Sequence, residues 1–120
     1  EIRNTVDVLS DSDWDAIHTG MRMVVENTKE FDGFPIEAAG KTGTAQEDLK
    51  RPNHALFVGY APYDNPEISI ATRIANGYTS HNAAEVSKKI LAYYFKVEDA
   101  DSLLNGQAEN INATSNGVND

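Results

Sequence analysis

The stretch that decides the fold is low in bulk and reads Ala38-Ala39-Gly40-Lys41-Thr42-Gly43-Thr44-Ala45-Gln46. It follows a turn segment that contains glycine and proline, and we predict a β-strand over residues 36–46. Side chains alternate along a strand, so Thr42 and Thr44 share one face. Lys41 leaves from the other face with a stem long enough to reach a neighbouring group. A cation beside two hydroxyls is a suitable site for a carboxylate.

The two glycines of this stretch allow two interpretations. Gly40 and Gly43 leave no side chain in the way, so a substrate main chain can approach the strand closely. Residues 40–42 also fit the last three positions of the phosphate-binding loop G-x-x-x-x-G-K-[ST]. The first glycine of that loop falls on Pro35, which lacks the conformational freedom that the loop demands. A nucleotide-binding loop is therefore a distant alternative.

Two further strands and two helices are predicted around this strand. Hydrophobic periodicity predicts helices over 13–28 and 82–95 and strands over 54–60 and 67–75. The turn cluster at 62–66 joins the latter two strands as an antiparallel hairpin. Small or apolar residues on both sides of the strands favour a sheet covered on both faces. The order helix, strand, strand, strand, helix predicts an α+β fold with an antiparallel sheet.

The helix ends and apolar faces follow from the same pattern. Ser12 is the predicted cap of the first helix, and Ser80 or Asn82 that of the second. The first helix is predicted to bury Trp14, Ile17, Met21, Val24 and Val25. The second is predicted to bury Ala83, Val86, Ile90, Leu91 and Tyr94. We expect the aromatic residues that end the second helix to pack on the sheet; they are Tyr93, Tyr94 and Phe95.

Composition excludes several classes of function. The 120 residues are 40% hydrophobic and 24% charged, which is typical of one small globular domain or part of a larger one. A net charge of -9 argues against a nucleic-acid partner, because phosphate contacts need clustered lysine and arginine. The absence of cysteine excludes disulfides, thiolate zinc sites and cysteine nucleophiles. The three histidines have no paired spacing, so we expect no metal and no cofactor.

Beyond the stretch 36–46, the succession of motifs resembles one known family. His54-Ala55-Leu56-Phe57-Val58-Gly59-Tyr60-Ala61-Pro62 follows after a polar loop. Pro66-Glu67-Ile68-Ser69-Ile70-Ala71 and an Asn76-Gly77 exit into the last helix come next. This order closely resembles the C-terminal part of class B penicillin-binding protein transpeptidase domains, in the serine β-lactamase superfamily, whose third motif is Lys-Thr-Gly. The resemblance implies an incomplete domain over 1–96. The polar composition predicts a disordered tail over 97–120.

The resemblance implies a role for each residue of the motif. Lys41 would hydrogen-bond the serine of the family's second motif and keep the site electropositive. Thr42 and Thr44 would bind the terminal carboxylate of a D-Ala-D-Ala stem peptide or of a β-lactam. Gly43 would keep the strand open beside the substrate. The backbone N–H of Thr44 would form half of the oxyanion hole, which stabilises charge in the transition state.

Two elements that the family requires are missing from these residues. No serine of the chain is followed three residues later by lysine, so the nucleophile motif Ser-x-x-Lys is absent. Ser80-His81-Asn82 fits the second motif, Ser-x-Asn, but lies after Lys41, and capping is the better interpretation. We therefore expect the chain alone to be inactive and to need the remainder of its own transpeptidase domain. Alone it would expose apolar surface and be unstable or oligomeric.

The implied function is peptidoglycan D,D-transpeptidation through an acyl-serine intermediate. The expected partners are stem peptides, β-lactams and other cell-wall synthesis proteins of the membrane. The implied location is the extracytoplasmic face of the bacterial plasma membrane, with an N-terminal anchor that these residues do not include. Alternatives on the same fold are a non-catalytic β-lactam sensor, a β-lactamase or a D,D-carboxypeptidase. Arg51 and Arg73 could touch substrate, but the sequence does not favour this over surface pairing.

Overall fold

The computed structural model of the chain describes residues 7–99, 102 and 103. Its elements, in chain order, are helix α1 (Asp11–Glu26), a short 3-10 turn (Lys29–Phe31), strands β1 (Ala39–Ala45), β2 (His54–Ala61) and β3 (Ile68–Ile74), and helix α2 (Ser80–Tyr94). The predicted α+β fold, with three antiparallel strands between two helices, is confirmed. Most of the tail predicted over 97–120 lies outside the described residues, so its disorder stays a prediction.

The three strands form one antiparallel sheet in the order β1-β2-β3. Residues paired across strands point to the same side. One side, here called the covered face, packs against α2 and carries Gly40, Thr42, Thr44, Ala55, Phe57, Gly59, Ala61, Ile68, Ile70, Thr72 and Ile74. The other side, here called the open face, carries Ala39, Lys41, Gly43, Ala45, His54, Leu56, Val58, Tyr60, Ser69, Ala71 and Arg73. The predicted covering of both faces is therefore wrong in part, since Val58 on the open face is 48% exposed.

The centre of the covered face is the ring of Phe57, which is 1% exposed. A Cβ added to Gly40 would overlap the tip of this ring, and one added to Gly59 would lie 2.9 Å from its Cε1 atom. The ring of Phe31, from the 3-10 turn, stacks on Phe57 with centroids 5.6 Å apart. The two glycines therefore leave the room that one large aromatic side chain fills, and they let β1 and β2 carry it between them.

The buried face of helix α2 agrees with the predicted one only at Ala83 and Leu91. Its buried residues are Ser80, Ala83, Ala84, Ser87, Leu91 and Ala92. The prediction that Val86, Ile90 and Tyr94 are buried is wrong, since they are 40%, 46% and 47% exposed. Tyr93 is also exposed, and of the three terminal aromatics only Phe95 packs against the core. The reason is that small residues let the helix approach the sheet, where the hydroxyls of Ser87 and Thr72 lie 2.8 Å apart.

Both predicted helix caps are wrong by a few residues. Helix α1 is capped by Ser10, not Ser12, and the side chain of Asp13 accepts the N–H of Ser10 at 3.0 Å in return. This reciprocal pair requires an acceptor three residues after the cap, which Asp13 provides for Ser10. The hydroxyl of Ser10, which also donates to the Asp13 carboxylate, and then the N–H of Ser10 lower the pKa of Asp13. Helix α2 is capped by Thr79, whose side chain accepts the N–H of His81.

Candidate active-site strand

Strand β1 lies at an edge of the sheet. Within residues 7–99 it pairs with β2 alone, with Lys41 opposite Val58 and Gly43 opposite Leu56. An edge strand presents backbone N–H and C=O groups that a further extended chain can pair with. The strand that carries the Lys-Thr-Gly sequence is therefore also the one to which an extended peptide can be added.

Lys41 lies on the open face and is exposed. Its Nζ atom donates a hydrogen bond to the carbonyl oxygen of Thr42 at 2.7 Å. The stem of the lysine thus bends back along its own strand, and the ammonium group stays in solvent at the strand's edge. An exposed ammonium on a flexible lysine stem can turn toward a neighbouring acceptor at little cost.

Thr42 and Thr44 share the covered face, as strand alternation predicts. The Oγ1 atom of Thr44 accepts the backbone N–H of Ser80, the first residue of α2, at 3.3 Å. Gly43 lies between them on the open face, where an added Cβ would lie 3.4 Å from the Cβ of Leu56, an ordinary contact. A side chain introduced at Gly40 should therefore disturb the packing of this strand, whereas one introduced at Gly43 should not.

The beginning of β1 is held by Arg22 of α1, a residue that the sequence analysis missed. Its guanidinium donates to the carbonyl oxygen of Ala38 at 3.2 Å and lies 3.6 Å from the carboxylate of Glu37. It also pairs with Glu26, one helical turn later, at 3.3 Å. The i,i+4 spacing of Arg22 and Glu26 was visible in the sequence, but the bond to residue 38 was not. The helix thus fixes where strand β1 starts.

The other end of β1 is held by His54, which is 8% exposed at the start of β2. Its Nε2 atom hydrogen-bonds the carboxylate of Glu47, and its Nδ1 atom accepts the N–H of Asn76 at 3.0 Å. The hydrogen bond with His54 is the main reason that the pKa of Glu47 lies below its ordinary value; the charge of Arg73 adds to it. A lone histidine in the sequence gave no signal for this arrangement.

The Ser80-His81-Asn82 stretch lies where α2 begins, beside Thr44. Ser80 occupies the first helical turn, Asn82 donates to the carbonyl oxygen of Gly77 at 2.7 Å, and His81 pairs with Glu30 at 3.0 Å. The interpretation of this stretch as a turn and helix cap is right about its position at the start of α2 and wrong about the cap, which Thr79 provides. The structure adds the contact between Ser80 and Thr44, which the sequence did not suggest.

Two alternative kinds of site find no support in the described part of the chain. Residues 40–42 lie inside strand β1, whereas a phosphate-binding loop leads into a helix N-terminus. Among residues 7–99, 102 and 103, no group of three histidine, aspartate or glutamate side chains is placed to hold a metal ion.

The same described residues include no helix with the length and apolar character that crossing a membrane requires. Arg51 lies 3.9 Å from Asp48 and Arg73 is exposed on the open face.

The family model of the penicillin binding protein transpeptidase domain matches residues 4–92. The chain belongs to this family. It is 35% identical over 101 residues to the peptidoglycan D,D-transpeptidase MrdA of Haemophilus influenzae, covering 68% of this chain and 16% of that protein. It is 37% identical to the protein of the same name from Acinetobacter baumannii, covering 71% of this chain and 15% of that protein.

Solved structures of the transpeptidase family agree with this assignment. PBP2 of Pseudomonas aeruginosa, in a crystal structure with WCK 5153, superposes with a TM-score of 0.67 and 33% sequence identity. The match covers 76% of this chain and 21% of that one. The resemblance to class B penicillin-binding transpeptidase domains is confirmed, and the chain spans about a sixth of the length of the curated relatives that it matches.

Proposed function

We propose that this chain provides the Lys-Thr-Gly strand of a peptidoglycan D,D-transpeptidase that also binds penicillins. One observation carries the proposal: Lys41, Thr42, Gly43 and Thr44 lie consecutively on an edge strand that pairs with one neighbour only in the described chain. Membership of the transpeptidase family supports it, as do relatives named peptidoglycan D,D-transpeptidase.

The substrate is proposed to lie as an extended peptide along the free edge of β1. A stem peptide ending in D-Ala-D-Ala has main-chain groups that can pair with an edge strand. A β-lactam presents a comparable amide and carboxylate. Gly43 places no side chain beside that position, so the peptide backbone can come close.

The two threonines and the lysine have different proposed roles in binding the substrate. The hydroxyls of Thr42 and Thr44 donate to the terminal carboxylate, and Lys41 supplies the positive charge that such a group prefers. Lys41 also hydrogen-bonds the serine of the second family motif. Its exposed ammonium, bonded only along its own strand in the described residues, can turn to either task.

The backbone N–H of Thr44 is proposed as one donor of the oxyanion hole. The attack of a serine oxygen on the scissile carbonyl places negative charge on the carbonyl oxygen, and a fixed N–H stabilises that charge. The terminal D-Ala leaves with a proton, and an amine of a second stem peptide then displaces the serine. Loss of one such donor lowers kcat about 100- to 1,000-fold in comparable enzymes.

The nucleophile is proposed to come from polypeptide outside these residues, because the 120 residues include no Ser-x-x-Lys sequence. The chain then acts only together with the remainder of its transpeptidase domain. We place that domain on the extracytoplasmic face of the plasma membrane, where its substrate is. Other cell-wall synthesis proteins of the membrane are its proposed partners.

Labelling with a fluorescent penicillin tests the proposal. The full-length product of the gene should form a covalent adduct on a serine, and this chain expressed alone should form none. Lys41→Ala should slow labelling strongly without unfolding the protein. Thr44→Pro should abolish it by removing the oxyanion donor, and it would also strain the strand.

Unchanged labelling in Thr44→Pro would contradict the placement of Thr44, and absence of labelling in the wild-type product would contradict the proposed function. A D-amino acid added as acceptor separates the reaction types. A transpeptidase transfers the acyl group to the amine, whereas a carboxypeptidase releases it to water.

A further inference from the structure

The turn between β3 and α2 has a defined backbone conformation. Asn76 and Tyr78 both have positive φ angles, of 54° and 69°. This backbone region is costly for a bulky residue such as tyrosine, and it persists only where surrounding contacts impose it. The contacts that impose it identify what the turn depends on.

The start of β2 provides two of these contacts. The Nδ1 atom of His54 accepts the N–H of Asn76 at 3.0 Å, and the carbonyl oxygen of Asn53 accepts the N–H of Tyr78 at 3.0 Å. Between them, a side chain on Gly77 would have no room against β2 and β3. The turn therefore takes its position from residues 53 and 54.

The ring of His54 is itself fixed from its other side. Because Nδ1 accepts an N–H, the proton of the neutral ring must lie on Nε2, which donates to the carboxylate of Glu47. The ring is also buried, at 8% exposure. Glu47 thus selects the tautomer that can hold Asn76.

The turn delivers the first residue of α2 to the active-site strand. Ser80 is 2% exposed, and its backbone N–H donates to the Oγ1 atom of Thr44 at 3.3 Å. A hydroxyl that accepts an N–H has its own hydrogen directed away from that amide. The contact therefore restricts the directions in which the Thr44 hydroxyl can donate, which matters for a group that binds a carboxylate.

We propose that His54 is a positioning residue for Thr44, acting through the turn at Asn76 and the N–H of Ser80. The inference rests on the proposed function, because it assigns His54 to the orientation of the carboxylate-binding hydroxyl. His54 has no proposed contact with substrate. Its effect passes through two backbone N–H groups.

Two amide substitutions of His54 separate its two hydrogen bonds. Asparagine places a carbonyl oxygen near the Nδ1 position, so His54→Asn keeps an acceptor for Asn76. Glutamine reaches the Nε2 position, so His54→Gln keeps only the contact with Glu47. We expect the rate of acylation of the full-length product by a fluorescent penicillin to fall about tenfold or more in His54→Gln and to stay within about threefold in His54→Asn.

Ser80 offers a matched pair at the other end of the connection. It is the first residue of α2, a position that accepts proline, and Thr79 before it has the extended backbone that proline requires, with φ -129° and ψ 154°. Ser80→Pro removes the N–H that Thr44 accepts, whereas Ser80→Ala keeps it. We expect the proline variant to reproduce the loss seen in His54→Gln and the alanine variant to stay near the wild-type rate.

A double substitution shows whether both residues act on the Thr44 hydroxyl. In a Thr44→Val background there is no hydroxyl to orient, so His54→Gln should cause no further loss. Equal rates in His54→Gln and His54→Asn, or an undiminished loss in the Thr44→Val background, would overturn the inference and leave the proposed function intact. Rates that simply follow the unfolding temperature across the variants would also overturn it. A wild-type product that is not labelled would contradict both proposals.

Discussion

The covered and open faces of the sheet are built from the same three strands and differ in how far their side chains are buried. On the covered face, Phe57 is 1% exposed and small residues bring α2 close. On the open face, its neighbour Val58 is 48% exposed, and Lys41 reaches into solvent. One face thus holds the strands together. The other is covered only in part: Ala39 and His54 are buried there, whereas Lys41 and Val58 are exposed. Substitutions at matched positions on the two faces should separate stability from activity.

The largest difference in stability is expected between two adjacent residues of β2. Phe57→Ala removes the ring at the centre of the core and should lower the free energy of unfolding by about 3–5 kcal/mol. Val58→Ala, on the open face, should cost less than about 1 kcal/mol. Urea denaturation of the complete domain measures both. Similar losses for the two variants would mean that Val58 is buried by the remainder of the domain.

The two glycines of β1 provide the next comparison. Gly40→Ala places a Cβ 2.7 Å from the carbonyl oxygen of Val58 and against the ring of Phe57, and should lower the free energy of unfolding by about 1–3 kcal/mol. Gly43→Ala meets only an ordinary contact with Leu56 and should leave stability nearly unchanged. Thermal unfolding of the two variants checks this. If Gly43→Ala is the more damaging, β1 must be packed on the open face as well.

A smaller loss of stability is expected for a substitution of Ser87, with Ser69 as its control. The hydroxyl of Ser87 is fully buried, lies 2.8 Å from that of Thr72 and donates to the carbonyl oxygen of Ala83. Ser87→Ala leaves Thr72 without this partner and should cost about 1 kcal/mol. Ser69→Ala, at an exposed position of the open face, should have no measurable effect. Equal unfolding midpoints in urea would show that the Ser87 hydrogen bonds contribute nothing net.

The smallest effect on stability is expected at Tyr60, where the substitution should not destabilise the protein. Among the described residues, the hydroxyl of Tyr60 is buried without a hydrogen-bond partner, and this burial, together with Tyr63, raises the pKa of Tyr60. Tyr60→Phe removes the unpaired group and should leave stability unchanged or raise it by up to about 1 kcal/mol. A loss of stability in calorimetry would show that the hydroxyl has a partner in the complete domain.

Much of the fold could be predicted because it follows from local patterns. The positions of the three strands, their antiparallel order and the shared face of Thr42 and Thr44 follow from turn residues and alternation. The buried face of α2 could be predicted only in part from periodicity, which is right for Ala83 and Leu91 and wrong for Val86, Ile90 and Tyr94. Hydrophobic spacing favours Val86 and Ile90, whereas the sheet accepts Ser87, because Thr72 and the carbonyl oxygen of Ala83 satisfy its hydroxyl.

Strand β1, the candidate active-site strand, shows the same division. The sequence by itself determined the Lys41-Thr42-Gly43-Thr44 motif, the strand that carries it and the family to which it belongs, since these depend on neighbouring residues. Only the tertiary structure decided what holds that strand. The contacts of Ser80 with Thr44 and of Asn76 with His54 join residues 36 and 22 positions apart. No local pattern encodes such pairs, because they form only when the packing of α2 and the sheet brings the backbone of one to the side chain of the other.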